Sequence, residues 1–383
     1  MTVPYYRYLL AQSDRIEAFR SSIREVVRDG DDVIDLGTGL GTFAFFAVDA
    51  GASRVWAVEG DPIVNVAKAV ARANGYADRI EFIKGWFPDV SIPGKADVLI
   101  FEDFSKKLID VHAYLLIKRA VSDLLKPGGS VIPERIRLMI APLSSEEAWQ
   151  KVAPFDGDED QAYGIDWSAS REYVLNTPHA VFLGPDALVG EPQVVLDFEL
   201  LRLPDAAELT GNVSWEISEK RVVHGLLYWF DLELSPGLRV SNAPGESGPW
   251  GQFFLPAHFP IEVEAHQALS AGVGARDGLL AWEITCGEQR VRGSDFLAAP
   301  ASLDDLFAMS PAHVPSLGER GELELEVLGL ADGTRSYQEI AEMIRRANCD
   351  LDHDEALRLV ANIFRGKIIR IRSSDVFKAE VEK

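Results

Sequence analysis

The sequence predicts three architectures in succession: a parallel α/β region over residues 1–138, an antiparallel β-barrel or sandwich over 139–299, and a small winged-helix-like α+β module over 300–383. Three observations predict them. Strand-like and helix-like runs alternate through the first region, the pattern of a parallel sheet covered on both faces. From Ala141 on, runs rich in β-branched and aromatic residues are punctuated by Gly, Pro and Asn. Past Pro300, a strand, a turn, two helices and a strand follow in close order.

The elements can be justified in order. DDVIDLG, RVWAVEG, RIEFIKG and ADVLIFED are short apolar runs bounded by turn residues, so they are expected as buried strands. DPIVNVAKAVARANG has helical spacing and ends on glycine. LLKPGGSVIPERIRLMIAPL closes the region as a turn and a strand or two. QVVLDFELL, VSWEIS, VVHGLLYWFDLEL, PIEVEAHQAL and LLAWEITCG supply the antiparallel strands, and the acidic FDGDEDQAY, Phe155 to Tyr163, reads as a solvated loop. PAHVPSLGE, Pro311 to Glu319, reads as a linker. After it come LELEVLGLADGTRS as strand and turn, YQEIAEMIRRAN and DEALRLVANIFRG as helices, and KIIRIRS as a closing strand.

Composition narrows the function. The 383 residues suit two or three domains, and 47% apolar residues suffice for large cores. A net charge of −22 argues against a nonspecific nucleic-acid binder, which needs a basic face. No run of 18 apolar residues occurs, so no membrane span is expected. Two cysteines, Cys286 and Cys349, are too few for a disulfide framework or a cysteine zinc site, and no metal is expected. The first residues lack the basic-then-apolar order of a signal peptide, so a cytoplasmic location is expected.

The chemistry centres on V-I-D-L-G-T-G-L-G-T, which reads as strand, glycine turn and helix start. Gly37, Gly39 and Gly41 give G-x-G-x-G, whereas a dinucleotide fingerprint wants its third glycine where Thr42 stands. Asp35 ends the first strand and Glu59 the second, 22 residues on from Gly37. A carboxylate at that place can accept hydrogen bonds from both ribose hydroxyls. S-adenosylmethionine has no pyrophosphate and does not need the dinucleotide spacing, so it is expected ahead of NAD.

With VIDLGTGLGTFAFFAVDAGASRVWAVEGD in view, the chain resembles class I S-adenosylmethionine (SAM)-dependent methyltransferases, and among them the protein arginine methyltransferases. YLLAQSDRIEAFRSSI resembles that family's cofactor-covering helix, YGIDWS its dimerisation-arm neighbourhood, and VVHGLLYWFDLEL and GPWGQFFLP two barrel strands and a loop facing the site. The resemblance covers residues 5–290. It implies a Rossmann-like methyltransferase domain followed by a β-barrel, with SAM as donor, S-adenosylhomocysteine as product, and a homodimer. It places Arg15, Asp35, Gly37, Gly39, Gly41, Glu59, Gly85 and Trp86 at the cofactor, Arg15 on its carboxylate and Gly85–Trp86 at its adenine. A surface arginine and a core tryptophan are the plain alternatives for Arg15 and Trp86.

The acceptor side departs from the family. Its clamp is two glutamates on one loop; Glu102 fits the first, but nine residues on stands Val111, with Asp110 one step off. D-F-S-K follows Glu102 in place of M-G-Y, the family's T-H-W loop reads Gly248-Pro249-Trp250, and the N-terminal tyrosine helix is expected missing or shortened. One carboxylate with altered neighbours suits an amine better than a guanidinium. Glu102 is therefore expected to orient the acceptor, Asp103 or Asp110 to assist as base, and Trp250 and Tyr6 to contact substrate.

Leu328 to Ala341, LGLADGTRSYQEIA, resembles the PqqD-like elements that bind leader peptides of ribosomally made, modified peptides by β-strand addition. That resemblance implies a precursor peptide as partner, its leader held by residues 300–383 and its core peptide N-methylated at the SAM site. A protein arginine methyltransferase with a variant clamp, a small-molecule methyltransferase and a non-catalytic scaffold are the alternatives.

Overall fold

The structure is a computed structural model and describes residues 3–102, 111–152, 164–203, 208–246, 248–276, 278–347 and 351–367. The chain divides into two compact units, residues 1–300 and 301–383.

The first unit begins with helices α1 (Val3–Leu10) and α2 (Ser13–Val26), followed by β1 (Asp32–Leu36), α3 (Thr42–Asp49), β2 (Arg54–Glu59), α4 (Val64–Ala73), β3 (Ile80–Lys84), β4 (Ala96–Phe101), α5 (Val111–Leu124) and β5 (Leu125–Ile132). The five strands form one parallel sheet in the order β3-β2-β1-β4-β5. The residues of β1, β2 and β4 are almost all apolar and buried, as strands covered on both faces require, while β3 and β5 at the edges are partly exposed. The order reverses between β1 and β4, and that switch point opens a crevice at the carboxyl ends of the strands.

The chain then turns antiparallel, with β6 (Arg135–Leu143), α6 (Glu146–Val152), a 3-10 turn (Ser168–Ser170), α7 (Arg171–Leu175), β7 (His179–Val181), β8 (Gln193–Glu199), β9 (Glu208–Ile217), β10 (Arg221–Ser235), β11 (Leu238–Ser241), β12 (Gln252–Val263), β13 (Gln267–Arg276), β14 (Leu279–Cys286) and β15 (Gln289–Ser294). One sheet runs β7-β12-β10-β6-β8 with β11 beside β10; the other runs β15-β14-β13-β9. VVHGLLYWFDLEL is the long central strand β10, which Gly225 bends at a bulge. The boundary expected at 138/139 falls inside β6, because the chain enters the antiparallel sheet at Arg135. A single apolar core crosses it, running from Ile34 and Leu99 through Ile140 to Tyr228 and Trp282.

The second unit contains α8 (Leu303–Ala308), α9 (Glu319–Gly329), α10 (Tyr337–Ala347) and α11 (His353–Lys367) around its own core of Val327, Ile340, Ile344, Val360 and Phe364. The strand expected over Leu323–Leu328 is instead the helix α9. Strict Leu-Glu alternation suggested a strand, but Leu and Glu favour helix, and the i, i+4 pair Leu323 and Val327 faces the core of α10 and α11. The closing strand KIIRIRS lies outside the described residues except for Lys367, which ends α11. Among the described residues this unit is all helix, not the α+β winged-helix order expected.

Candidate functional site

The site grows from the end of β1. Asp35 is 1% exposed there, and the chain turns away through Gly37, Gly39 and Gly41, whose φ angles of 79°, 55° and 87° suit glycine. Gly39 also allows a close approach: a Cβ on it would fall 2.5 Å from a ring carbon of Tyr6, so α1 rests on the turn only because that side chain is absent. The tyrosine helix, expected missing or shortened, is present as the eight-residue α1, which carries Tyr5, Tyr6 and Tyr8. The Tyr6 ring lies against the glycine turn.

Glu59, 4% exposed, ends β2 next to this turn. Its Oε2 accepts the Gly39 N–H at 2.9 Å and its Oε1 the Asp61 N–H at 2.8 Å. These two backbone donors fix the carboxylate, a group with about four acceptor sites in all. Gly85, just past β3, donates its N–H to the Glu59 carbonyl at 3.0 Å. Trp86 is 53% exposed and lies flat enough over Gly60 that a Cβ there would overlap its indole. It is therefore not a core residue but an exposed aromatic wall beside Glu59.

Asp35 accepts the Thr38 hydroxyl at 2.6 Å and a hydrogen bond from the Ala44 backbone. No ion pair to it occurs among the described residues. Burial pushes its carboxyl up to about 7, the Glu102 and Glu59 charges adding to the rise while the Thr38 bond opposes it.

Glu102 follows β4 across the switch point. Arg15, buried on α2, grips it with both arms of its guanidinium: Nε donates to Oε1 at 2.5 Å, and a terminal nitrogen donates to Oε2. The guanidinium carbon lies 5.9, 5.6 and 5.2 Å from the ring centres of Phe19, Phe43 and Trp250. Phe19 and Phe43 are themselves stacked at 4.5 Å, and Trp250 meets Phe230 edge-on at 5.3 Å. Arg15 is thus no surface residue, and its partner in the structure is the carboxylate expected to hold the acceptor.

The structure accordingly brings Arg15, Asp35, Gly37, Gly39, Gly41, Glu59, Gly85, Trp86, Glu102, Trp250 and Tyr6 to one crevice and its rim. Asp103 and Asp110 lie outside the described residues. Val111 is buried at the start of α5. Sequence reasoning missed Thr38 and the aromatic cage. The signals were a hydroxyl three residues after Asp35 and, in Phe19, an aromatic four residues after Arg15 on a helix. Among the described residues no cluster of His, Cys, Asp and Glu is arranged to hold a metal, and no helix is long and apolar enough to cross a membrane.

The comparisons with known proteins agree with this geometry. A family model for the arginine methyltransferase oligomerization subdomain matches residues 140–276, and one for ribosomal protein L11 methyltransferase (PrmA) matches residues 20–133. Protein arginine N-methyltransferase PRMT10 of Arabidopsis thaliana is 28% identical over 307 residues, covering 70% of this chain and 80% of that protein. A probable protein arginine N-methyltransferase 6 of the same plant is 28% identical, covering 61% of this chain and 55% of that one. Protein arginine N-methyltransferase 6 of Xenopus laevis is 26% identical, with shares of 68% and 80%. The crystal structure of Arabidopsis protein arginine methyltransferase 10 superposes with a TM-score of 0.67 at 24% identity, covering 77% of this chain and 98% of that one. The PRMT1 enzyme-prozyme complex of Trypanosoma brucei, solved with AdoHcy, gives 0.68 at 19%, with 76% and 98% covered. These structures establish the fold of the first unit. The sequence matches make the chain an enzyme, a SAM-dependent methyltransferase similar to the protein arginine N-methyltransferases.

Proposed function

We propose that this methyltransferase modifies a nitrogen of a protein or peptide, with an arginine guanidinium as the preferred acceptor. The observation that carries the reading is the Arg15–Glu102 pair: in this crevice Glu102 already seats a planar guanidinium in two-pronged fashion beside Trp250. A carboxylate has about four acceptor sites, so Glu102 can hold the N–H groups of an incoming guanidinium while keeping Arg15. This reverses the preference for an amine that the missing second glutamate suggested.

The residues present fit the cofactor. Glu59 suits the ribose hydroxyls, the exposed Trp86 indole the adenine, Asp35 a cationic group, and the glycine turn leaves room for close approach. When bound, the cofactor supplies an electrophilic methyl on a positively charged sulfur. Glu102 fixes the plane of the acceptor and draws positive charge away from the attacking nitrogen, and its Oε atoms can take the proton released afterwards. Tyr6 and Trp250 keep water from the crevice.

A second reading keeps the precursor peptide. What favours it is a separately cored unit beyond Pro300, reached through an exposed stretch that includes residues 308–318. In that reading residues 300–383 hold a leader, by a helical rather than a strand-pairing surface, and raise the local concentration of its core peptide. A homodimer through the 164–175 region and a cytoplasmic location complete the proposal.

The test is mass spectrometry of arginine-bearing and lysine-bearing peptides after incubation with SAM. Methyl groups on arginine are expected, and their loss in Glu102→Gln. Methylation of lysine alone overturns the guanidinium reading. Deleting residues 301–383 decides the second one: unchanged turnover of a candidate precursor peptide removes the leader role.

A further inference from the structure

We infer that the outward face of the β9-β13-β14-β15 sheet is a second recognition site for the substrate: a channel along β13 that takes an extended, acidic stretch of polypeptide and seats its carboxylates on Arg290 and Arg292. The inference rests on the polypeptide-substrate reading above and names a part of that substrate, apart from the methyl acceptor, that the enzyme grips.

The channel starts from side-chain size. Along β13, Leu269, Ala271, Val273 and Ala275 are buried, so Ala268, Ser270, Gly272 and Gly274 face outward and nothing larger than serine stands there. Glycine inside a strand weakens it, and marks a bulge, a bend or a close approach by a ligand or another backbone. β13 pairs with both neighbours without a register shift, so no bulge accounts for these two glycines, and neither has a positive φ. A Cβ on Gly274 would meet nothing nearer than a methyl carbon of Thr210 at 3.4 Å. One on Gly272 would meet the end of the Asn212 side chain at 2.6 Å, a group that can swing aside. Packing therefore does not demand them. What they leave is a hollow of about 510 Å³, a size that suits a bound ligand or side chains.

The walls differ in chemistry. On β9, Asn212 stands opposite Gly272 and Thr210 opposite Gly274, an amide and a hydroxyl for peptide groups. On the other side Glu283 stands opposite Gly272, and Arg292 opposite Glu283. Arg290 is two residues back along β15 on the same face. Arg290 and Arg292 both bring Nε to the same Glu283 oxygen, Oε2, at 2.6 and 2.7 Å. Two guanidiniums thus share one carboxylate, which leaves the cluster one positive charge in excess. Both side chains are more than half exposed, and among the described residues their terminal nitrogens make no ion pair. The other glutamates of this face stand at its ends, Glu216 and Glu288 at one and Glu208 at the other, with Glu216 on His266 at 3.1 Å. Guanidinium forks match carboxylates. Arg290 and Arg292 are also spaced by about 6.8 Å along the strand, the repeat of alternate side chains in an extended peptide.

The channel leads toward the acceptor side. β13 and β14 meet around Gly278, where a Cβ would stand 3.7 Å from a ring carbon of His112. His112 is in the first turn of α5, the next described element after Glu102. Gly274 lies four residues back from Gly278, about 13 Å along the strand. A substrate chain that leaves the crevice past α5 enters the channel at this end.

Fluorescence anisotropy of the full chain with a labelled peptide of alternating valine and glutamate, without arginine, and with its glutamine counterpart reads the channel directly. The acidic peptide should bind about tenfold more tightly. The double variant Arg290→Gln, Arg292→Gln should remove that preference. Gly274→Val fills the floor with a residue that favours strands, so it should keep the melting temperature and weaken both peptides about tenfold. Joined through a glycine-serine linker to an arginine acceptor, the acidic peptide should lower KM with kcat unchanged in the parent and not in the double variant. Equal affinity for the two peptides, or a preference that survives the double arginine variant, overturns the inference. Absence of methyl transfer to every arginine peptide overturns the guanidinium reading instead, and the anisotropy still decides the channel.

Discussion

The glycine turn after Asp35 and the D-G-T-R turn at Asp332 use the same residue types and end in opposite conditions. Asp332 is exposed and locally satisfied: its Oδ1 accepts the Thr334 N–H at 2.9 Å and the Thr334 hydroxyl at 2.7 Å, and its Oδ2 pairs with Arg335 at 2.8 Å. Those bonds hold its carboxyl below the ordinary aspartate range. Asp35 also accepts a threonine hydroxyl, yet burial beside two other carboxylates drives it the other way. A turn whose polar groups are all paired within four residues caps a chain reversal. The glycine turn instead leaves the Asp35 carboxyl buried, with no ion pair to it among the described residues. The D-G-T-R turn resembled a recognition element and the glycine turn a cofactor site. The family-model match over residues 20–133 supports a methyltransferase at the glycine turn and does not extend to the D-G-T-R turn.

The largest effect that can test this contrast is chemical. Glu102→Gln should lower the methyl-transfer rate by about 10²–10⁴ while donor affinity changes little, because the substitution weakens acceptor orientation and removes the proton-accepting carboxylate. Single-turnover kinetics beside a donor titration separates the two quantities. A rate within threefold of the parent would break the assignment of Glu102.

Next is Glu59→Gln, which exchanges a charged acceptor for a neutral amide. Donor affinity should fall roughly tenfold to a hundredfold, read by calorimetry, with the melting temperature held within a few degrees. Unchanged affinity would remove Glu59 from the ribose.

The third effect is on stability. Because the folded carboxyl of Asp35 titrates at about 7 instead of 3.8, the folded state binds more protons than the unfolded one between those values. Stability contributed by this group is therefore full below pH 4 and lost as pH rises to 7. Asp35→Asn does not titrate, so it should match the parent near pH 4 and exceed it at pH 8 by up to about 4 kcal/mol. Urea unfolding at the two pH values checks this, and a variant equally or less stable at pH 8 contradicts it.

The smallest effect is expected at the other turn. Asp332→Ala should cost about 1 kcal/mol in the second unit, where the acid caps exposed backbone, and leave donor affinity and arginine methylation unchanged. A loss of peptide turnover without loss of fold would instead revive a recognition role for D-G-T-R.

The legibility of this chain in its sequence varied by region for physical reasons. The strands β1 to β4 could be read directly, since VIDL, RVWAVE and ADVLIF are short apolar runs that no exposed segment would carry. The glycines and Glu59 were legible because backbone turns and strand ends impose residue types locally. LELEVLG was misread, because its alternation satisfies a strand's period while the contacts that make it a helix come from residues on α10 and α11. Trp86 and Arg15 could not be placed by pattern either, since an exposed and a buried aromatic look alike in a string, as do a surface and a buried arginine.

By itself, then, the sequence determined the parallel sheet, the antiparallel region after it and the glycine turn with its two strand-end carboxylates. Those follow from period, turn chemistry and residue type over a dozen positions at a time. Tertiary structure alone decided that Arg15 meets Glu102 under Trp250, and that Asp35 stands buried among like charges. These partners are 87 and more than 200 residues apart along the chain, and only the packed switch point between β1 and β4 brings their charges within reach of one another.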